Sequence, residues 1–310
     1  MTRSPEDPVS DRTAETGELS AKHGSQVTCR TGSEASAPLR DTLCGRPRNV
    51  GIAESPVRTQ NSMTALRHRV SAAAHEQVPH ANPLSAAQMA ELVERAIHWS
   101  PSTALDIGCG PGAFSVGLAS RTPVGVLAID FNPAFLERGK STAKSTPLVG
   151  SIAFLERSVQ GDEGGPFDVV VCIGSSGAVG SPRDALPRCK ELMAPGGVFV
   201  FAELVWTSEP AEGFLAFLGI ERTYFWLASE GEAVFAQSGL SVEYECEASR
   251  SSWESYEQAV LSGRLKLAAS LQPEEGEAVR NHATTWYSNF EKHGRRCLGF
   301  NACVARHAED

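Results

Sequence analysis

The stretch Ala104-Leu-Asp-Ile-Gly-Cys-Gly-Pro-Gly112 carries most of the structural information in this chain. Four residues of strand character run into three glycines at alternate positions, and the helix-competent segment Ala113-Phe-Ser-Val-Gly-Leu-Ala119 follows at once. Glycine admits left-handed backbone and close approach of a ligand, and a helix start offers unpaired N–H groups. Eighteen residues past Gly112, a second apolar run, Val126-Leu-Ala-Ile, ends on Asp130. Doubly wound sheets place a carboxylate at that position against ribose hydroxyls. Strand, glycine turn, helix, strand and acid in this order predict a nucleotide-type site.

Outward from this unit, short apolar runs alternate with helical stretches. Strands are predicted at 104–107, 124–129, 152–155, 167–173 and 198–204, with helices at 113–120, 133–143 and 183–193. Near-continuous apolar strands between helices indicate a parallel sheet covered on both faces. Before the glycine turn, Met89, Leu92, Val93, Ala96 and Ile97 form a helical stripe behind Ser85 as N-cap. After it, 206–227 is rich in aromatic residues. A helix at 230–238, a strand at 242–246, helices from Ser251 to about 271 and over 273–293, and a strand at 298–305 complete the pattern. The expected fold is α/β, a doubly wound, mostly parallel seven-stranded sheet with helices on both faces and a small helical and aromatic cap.

Residues 1–62 differ in kind. They hold no Phe, Trp or Tyr, and only 16 of the 62 are apolar, while eight basic and eight acidic side chains cancel. Such a segment cannot bury enough surface to offset its ordering entropy, so it is expected to be a disordered extension of a single domain over 63–310. Its eight acids argue against a transit peptide, and Met63 is a second candidate translation start. The net charge of −9 supplies no basic footprint for nucleic acid. The longest apolar runs are strand-sized, which predicts no membrane span. Eight scattered cysteines without CxxC or zinc spacing predict reduced thiols, no metal site and a cytoplasmic location.

The glycine spacing G-x-G-x-G, with Asp106 two residues before Gly108, resembles motif I of the class I S-adenosylmethionine-dependent methyltransferases. Phe167-Asp-Val-Val-Val-Cys-Ile-Gly174 resembles their strand-four motif, and Leu192-Met-Ala-Pro-Gly-Gly-Val198 their turn before strand five. Asn82-Pro-Leu-Ser85, Glu203-Leu-Val-Trp206, Trp253-Glu-Ser-Tyr256 and Leu298-Gly-Phe300 are similar to a small-molecule subgroup, so the resemblance covers about 63–310. It implies S-adenosyl-L-methionine as cofactor and a small-molecule acceptor. The implied cofactor residues are Asp106, Gly108, Cys109, Gly110, Gly112, Asp130, Phe131, Ile173 and Gly174. The acid that usually follows strand three has no clear counterpart, and Ser158 or Asp162 stands in.

Glu203 stands at the carboxyl edge either as a general base or as a cap for a neighbouring element. Ser175, Trp206 and Tyr224 are the candidate acceptor contacts, with Ser176, Trp226, Trp253 and Tyr256 near them in sequence, each weighed against turn formation or core packing. His75, His80 and His98 are either catalytic or ordinary surface residues. Two other functions fit the fold pattern: a catalytically degenerate binding protein of the same fold, and a nicotinamide-dependent oxidoreductase, which the glycine spacing disfavours.

Overall fold

The computed structural model describes residues 56–159 and 163–308. The 1–55 part of the expected extension, Asp162, Cys29 and Cys44 lie outside them. One helix was not foreseen: α1, Pro56–Ala74, begins inside the stretch assigned to the extension. Its few inward apolar residues, buried Val70 and half-buried Leu66 among them, give almost no periodic signal, and it is held by docking against other elements.

The other elements follow in chain order: α2 Ala86–Ile97, β1 Thr103–Ile107, α3 Ala113–Ala119, β2 Gly125–Asp130, α4 Pro133–Ser145, β3 Ser151–Glu156, β4 Phe167–Ile173, α5 Pro182–Glu191, β5 Met193–Trp206, α6 Glu212–Leu218, α7 Gly231–Gln237, β6 Leu240–Glu247, α8 Arg250–Ser270, α9 Pro273–Asn289 and β7 Leu298–His307. Local chemistry sets several of the boundaries. Ser85 and Gln88 form a capping box on α2, Ser181 and Asp184 another on α5, and Asn132 caps α4 with Pro133 at its first position. At α8 the cap is Ser249, whose hydroxyl accepts from the Ser252 amide, rather than Ser251.

The sheet has seven strands in the order β3-β2-β1-β4-β5-β7-β6. β1 to β5 are parallel, and β7 inserts antiparallel between β5 and β6. Strand pleating sends alternate residues to opposite faces. Ala104, Val126, Val169, Val171, Val198, Val200 and Ala202 pack under α2, α3 and the cap. Leu105, Ile107, Ile129, Val170, Cys172, Phe199, Phe201 and Val205 pack under α5 and α7. The cap over the first face is aromatic: Trp253 stacks on Phe290, and Phe214 stacks on Phe217. The six cysteines among the described residues are free thiols. No described helix is long and apolar enough to cross a membrane, and no described cluster of His, Cys, Asp or Glu could hold a metal ion.

Candidate active site

The carboxyl ends of β1, β2 and β4 converge on the glycine turn. Gly108, Gly110 and Gly112 all have positive φ, +64°, +54° and +73°. At Gly108 space is decisive as well, because a Cβ there would stand 2.4 Å from the Ser175 Cβ. At Gly112 a Cβ would meet the Phe154 ring at 2.9 Å, so this glycine serves packing of α3 against the sheet. The turn is tied to β2, since the Cys109 amide donates to the Ile129 carbonyl at 3.0 Å and the Gly110 amide to Asp130 Oδ2 at 2.9 Å. Asp130 Oδ1 accepts from the Asn132 amide at 2.8 Å. Burial raises the Asp130 carboxyl above the usual range, and the backbone donors oppose that shift.

Phe131 follows with 47% of its surface exposed, an unusual state for a large apolar ring. Ser158 is exposed two residues past β3, whose Glu156 is in register with Asp130. Half-buried Ile173 ends β4, and exposed Gly174, at φ +63°, donates to the Ala202 carbonyl at 2.7 Å.

Asp106 lies behind the turn, 4% exposed, and accepts from the Ser115 hydroxyl at 2.5 Å. Burial pushes its carboxyl up to about 7. It can act on a cation in the turn through its field, while its Oδ2 is engaged by α3. Cys109 is half-buried, and burial drives its thiol far upward, so it is a filler without nucleophilic character.

The three expected acceptor contacts each have a partner within the fold. The Ser175 hydroxyl donates to the Ile107 carbonyl and latches the β4 loop over Gly108. Trp206 is fully buried, its indole N–H donates to the Arg222 carbonyl at 2.9 Å, and Phe225 meets it edge-on. It is core, not an acceptor wall. Tyr224 is half-buried and packs edge-on against Phe225 at 5.1 Å. Trp253 is buried in the cap, Tyr256 pairs with His75, and His98 lies edge-on to Trp99.

Glu203 shares its β5 face with Phe201 and Val205, which turns it toward α7. It lines a cavity of ≈ 300 Å³ with Trp226, Phe235 and Asn301. Oε2 accepts from the Ser176 hydroxyl and Oε1 from the Leu204 amide at 2.9 Å, and burial raises its carboxyl. A carboxylate with a donor on each oxygen anchors the loop after Gly174. Glu203→Gln places an amide N–H against one of these donors, so a stability loss of about 1–3 kcal/mol is expected. Cofactor affinity should stay within about threefold. An unchanged melting temperature with a turnover loss of about 10²–10⁴-fold would instead make Glu203 a proton acceptor.

Sequence reasoning missed Ser115, His68, Asn132 and Arg138. Only Asn132 carried a local signal, the Asn-Pro step that opens α4. Residues 105–199 match the family model for a methyltransferase domain. That part of the chain is similar to the methyltransferase domain family. The chain is 33% identical over 118 residues to a mitochondrial ubiquinone biosynthesis O-methyltransferase of Schizosaccharomyces pombe, covering 37% of this chain and 43% of that protein. Thus the chain spans under half the length of that relative. The uncharacterized Escherichia coli protein YjhP is 25% identical over 232 residues, 73% of this chain and 93% of that one. A methyltransferase from Thiobacillus denitrificans, solved with S-adenosyl-L-homocysteine, superposes with a TM-score of 0.69 at 22% identity, over 76% of this chain and 96% of that one. At that identity the likeness is one of fold.

Proposed function

We propose that this chain transfers the methyl group of S-adenosyl-L-methionine to a small-molecule acceptor and releases S-adenosyl-L-homocysteine. The observation that carries the proposal is the glycine turn bonded to Asp130 and flanked by an exposed aromatic ring. Each carboxylate oxygen of Asp130 takes one backbone donor and keeps acceptor capacity for ribose hydroxyls. Phe131 offers an apolar face for the adenine, with Ser158 at the adjoining strand end. Gly108 and Gly110 let backbone approach the methionine portion without a side chain intervening, and the field of Asp106 favours an α-ammonium. Ile173 and Gly174 stand where the sulfonium would lie.

The cofactor supplies an activated methyl, so the protein's part is alignment and exclusion of water. The Ser176–Glu203 pair holds the loop that faces the acceptor. The ubiquinone biosynthesis O-methyltransferases among the relatives make a hydroxyl oxygen the first acceptor class to assay. Loss of such a proton requires a base only if the acceptor is neutral at working pH.

Calorimetry on the wild-type chain should show binding of S-adenosyl-L-methionine and S-adenosyl-L-homocysteine, with NAD silent. Heat from NAD alone would favour an oxidoreductase. Asp130→Ala should weaken cofactor binding by about 1–3 kcal/mol, the loss on removing hydrogen bonds to a charged group. Unaltered affinity would place the ribose elsewhere.

A further inference from the structure

We infer that α1 forms a wall of the cofactor site and that His68 is a positioning residue packed against the adenosine face opposite or beside Phe131. This rests on the methyltransferase reading and adds a residue that the glycine-turn motifs do not include. The His68 ring sits 5.4 Å from the Phe131 ring at an interplanar angle of 47°. Its backbone carbonyl accepts from Asn132 Nδ2 at 3.1 Å, so α1 is fastened to the loop that carries Asp130 and Phe131.

The rest of α1 holds this position. His75 stands one residue past the end of the helix, in the turn that follows it. His75 contacts the Phe135 ring of α4 and bonds Tyr256 of α8 at 2.9 Å. The Arg138 guanidinium of α4 donates to the His75 and Val78 carbonyls at 2.7 and 2.6 Å, closing the chain beyond the helix end. Across α8, a Cβ on Gly263 would stand 2.0 Å from the Ala73 carbonyl oxygen, which shows how closely the two helices cross. With its C-terminal end clamped between α4 and α8, α1 presents His68 at the open end of β2. There Phe131 keeps 47% of its surface exposed. Two rings tilted at this edge, one of them largely uncovered, suit a planar heteroaromatic group such as a purine.

The test uses the full-length chain, with S-adenosyl-L-homocysteine and adenosine as probes in calorimetry and thermal melting without ligand. His68→Ala should weaken both probes by about 5- to 30-fold, as expected for loss of one base–aromatic contact. His68→Phe should stay within about threefold of wild type, because it keeps the ring. Wild-type affinity in His68→Ala overturns the inference. So does an affinity loss that Phe fails to rescue and that comes with a melting drop of more than about 5 °C, since His68 would then only dock the helix. A wild-type chain that binds neither probe would remove the methyltransferase reading, and this inference with it, a result distinct from binding that ignores His68.

Discussion

Gly108→Ala is expected to abolish cofactor binding and to destabilise the chain. Two costs combine there. Alanine at φ +64° pays roughly 1–2 kcal/mol for left-handed backbone. Its Cβ would also lie 2.4 Å from the Ser175 Cβ, and neither atom can rotate away because both are fixed by their backbones. The β4 loop must move, which breaks the Ser175–Ile107 hydrogen bond and shifts Gly174. Affinity for S-adenosyl-L-homocysteine should fall by about 100-fold or more, equal to at least ~2.7 kcal/mol. Gly110→Ala is the internal comparison, since its Cβ would meet only Ala81, at 3.7 Å. It should show the backbone cost alone in thermal or urea unfolding. Ser175→Gly in the Gly108→Ala background should recover part of the stability, and additivity of the two losses would refute the contact argument.

Trp206→Ala should cost about 3–5 kcal/mol, the usual range for removing a large aromatic side chain from a core. The side chain is wholly buried, and its removal leaves a cavity under Phe225 and strands the Arg222 carbonyl that its indole N–H satisfies. Urea unfolding measures the loss directly. Should Trp206 instead wall the acceptor, stability would change little while the acceptor KM rose. Trp206→Phe keeps most of the volume but not the donor, and separates packing from the hydrogen bond.

Much of this protein is legible along the chain because the relevant physics is local. The positive φ of Gly108, Gly110 and Gly112 was readable from residue type, as were the Ser85 cap and the apolar runs of β1, β2, β4 and β5. Each depends on backbone sterics or hydrogen bonds reaching no more than four residues. Asp130 was legible for a related reason: a strand of six residues that begins one turn after α3 can only end at the carboxyl edge.

The direction and company of side chains were decided by tertiary structure alone. Pleating puts Glu203 on the face of Phe201 and Val205, but which layer covers that face depends on α7 and β7, placed by chain far downstream. The Ser175 hydroxyl finds its carbonyl at Ile107, 68 residues away, and the Ser176 hydroxyl finds Glu203 at a distance of 27. Trp206 had the composition of either a ligand wall or a core residue, and only the packing of 222–227 against it settled which. α1 lay furthest from prediction, because its stability comes from Arg138, Tyr256 and the close crossing at Gly263 rather than from its own pattern. Backbone preference travels with the residue, whereas a side chain's hydrogen-bond partner is chosen by whichever distant segment the fold brings within about 3 Å.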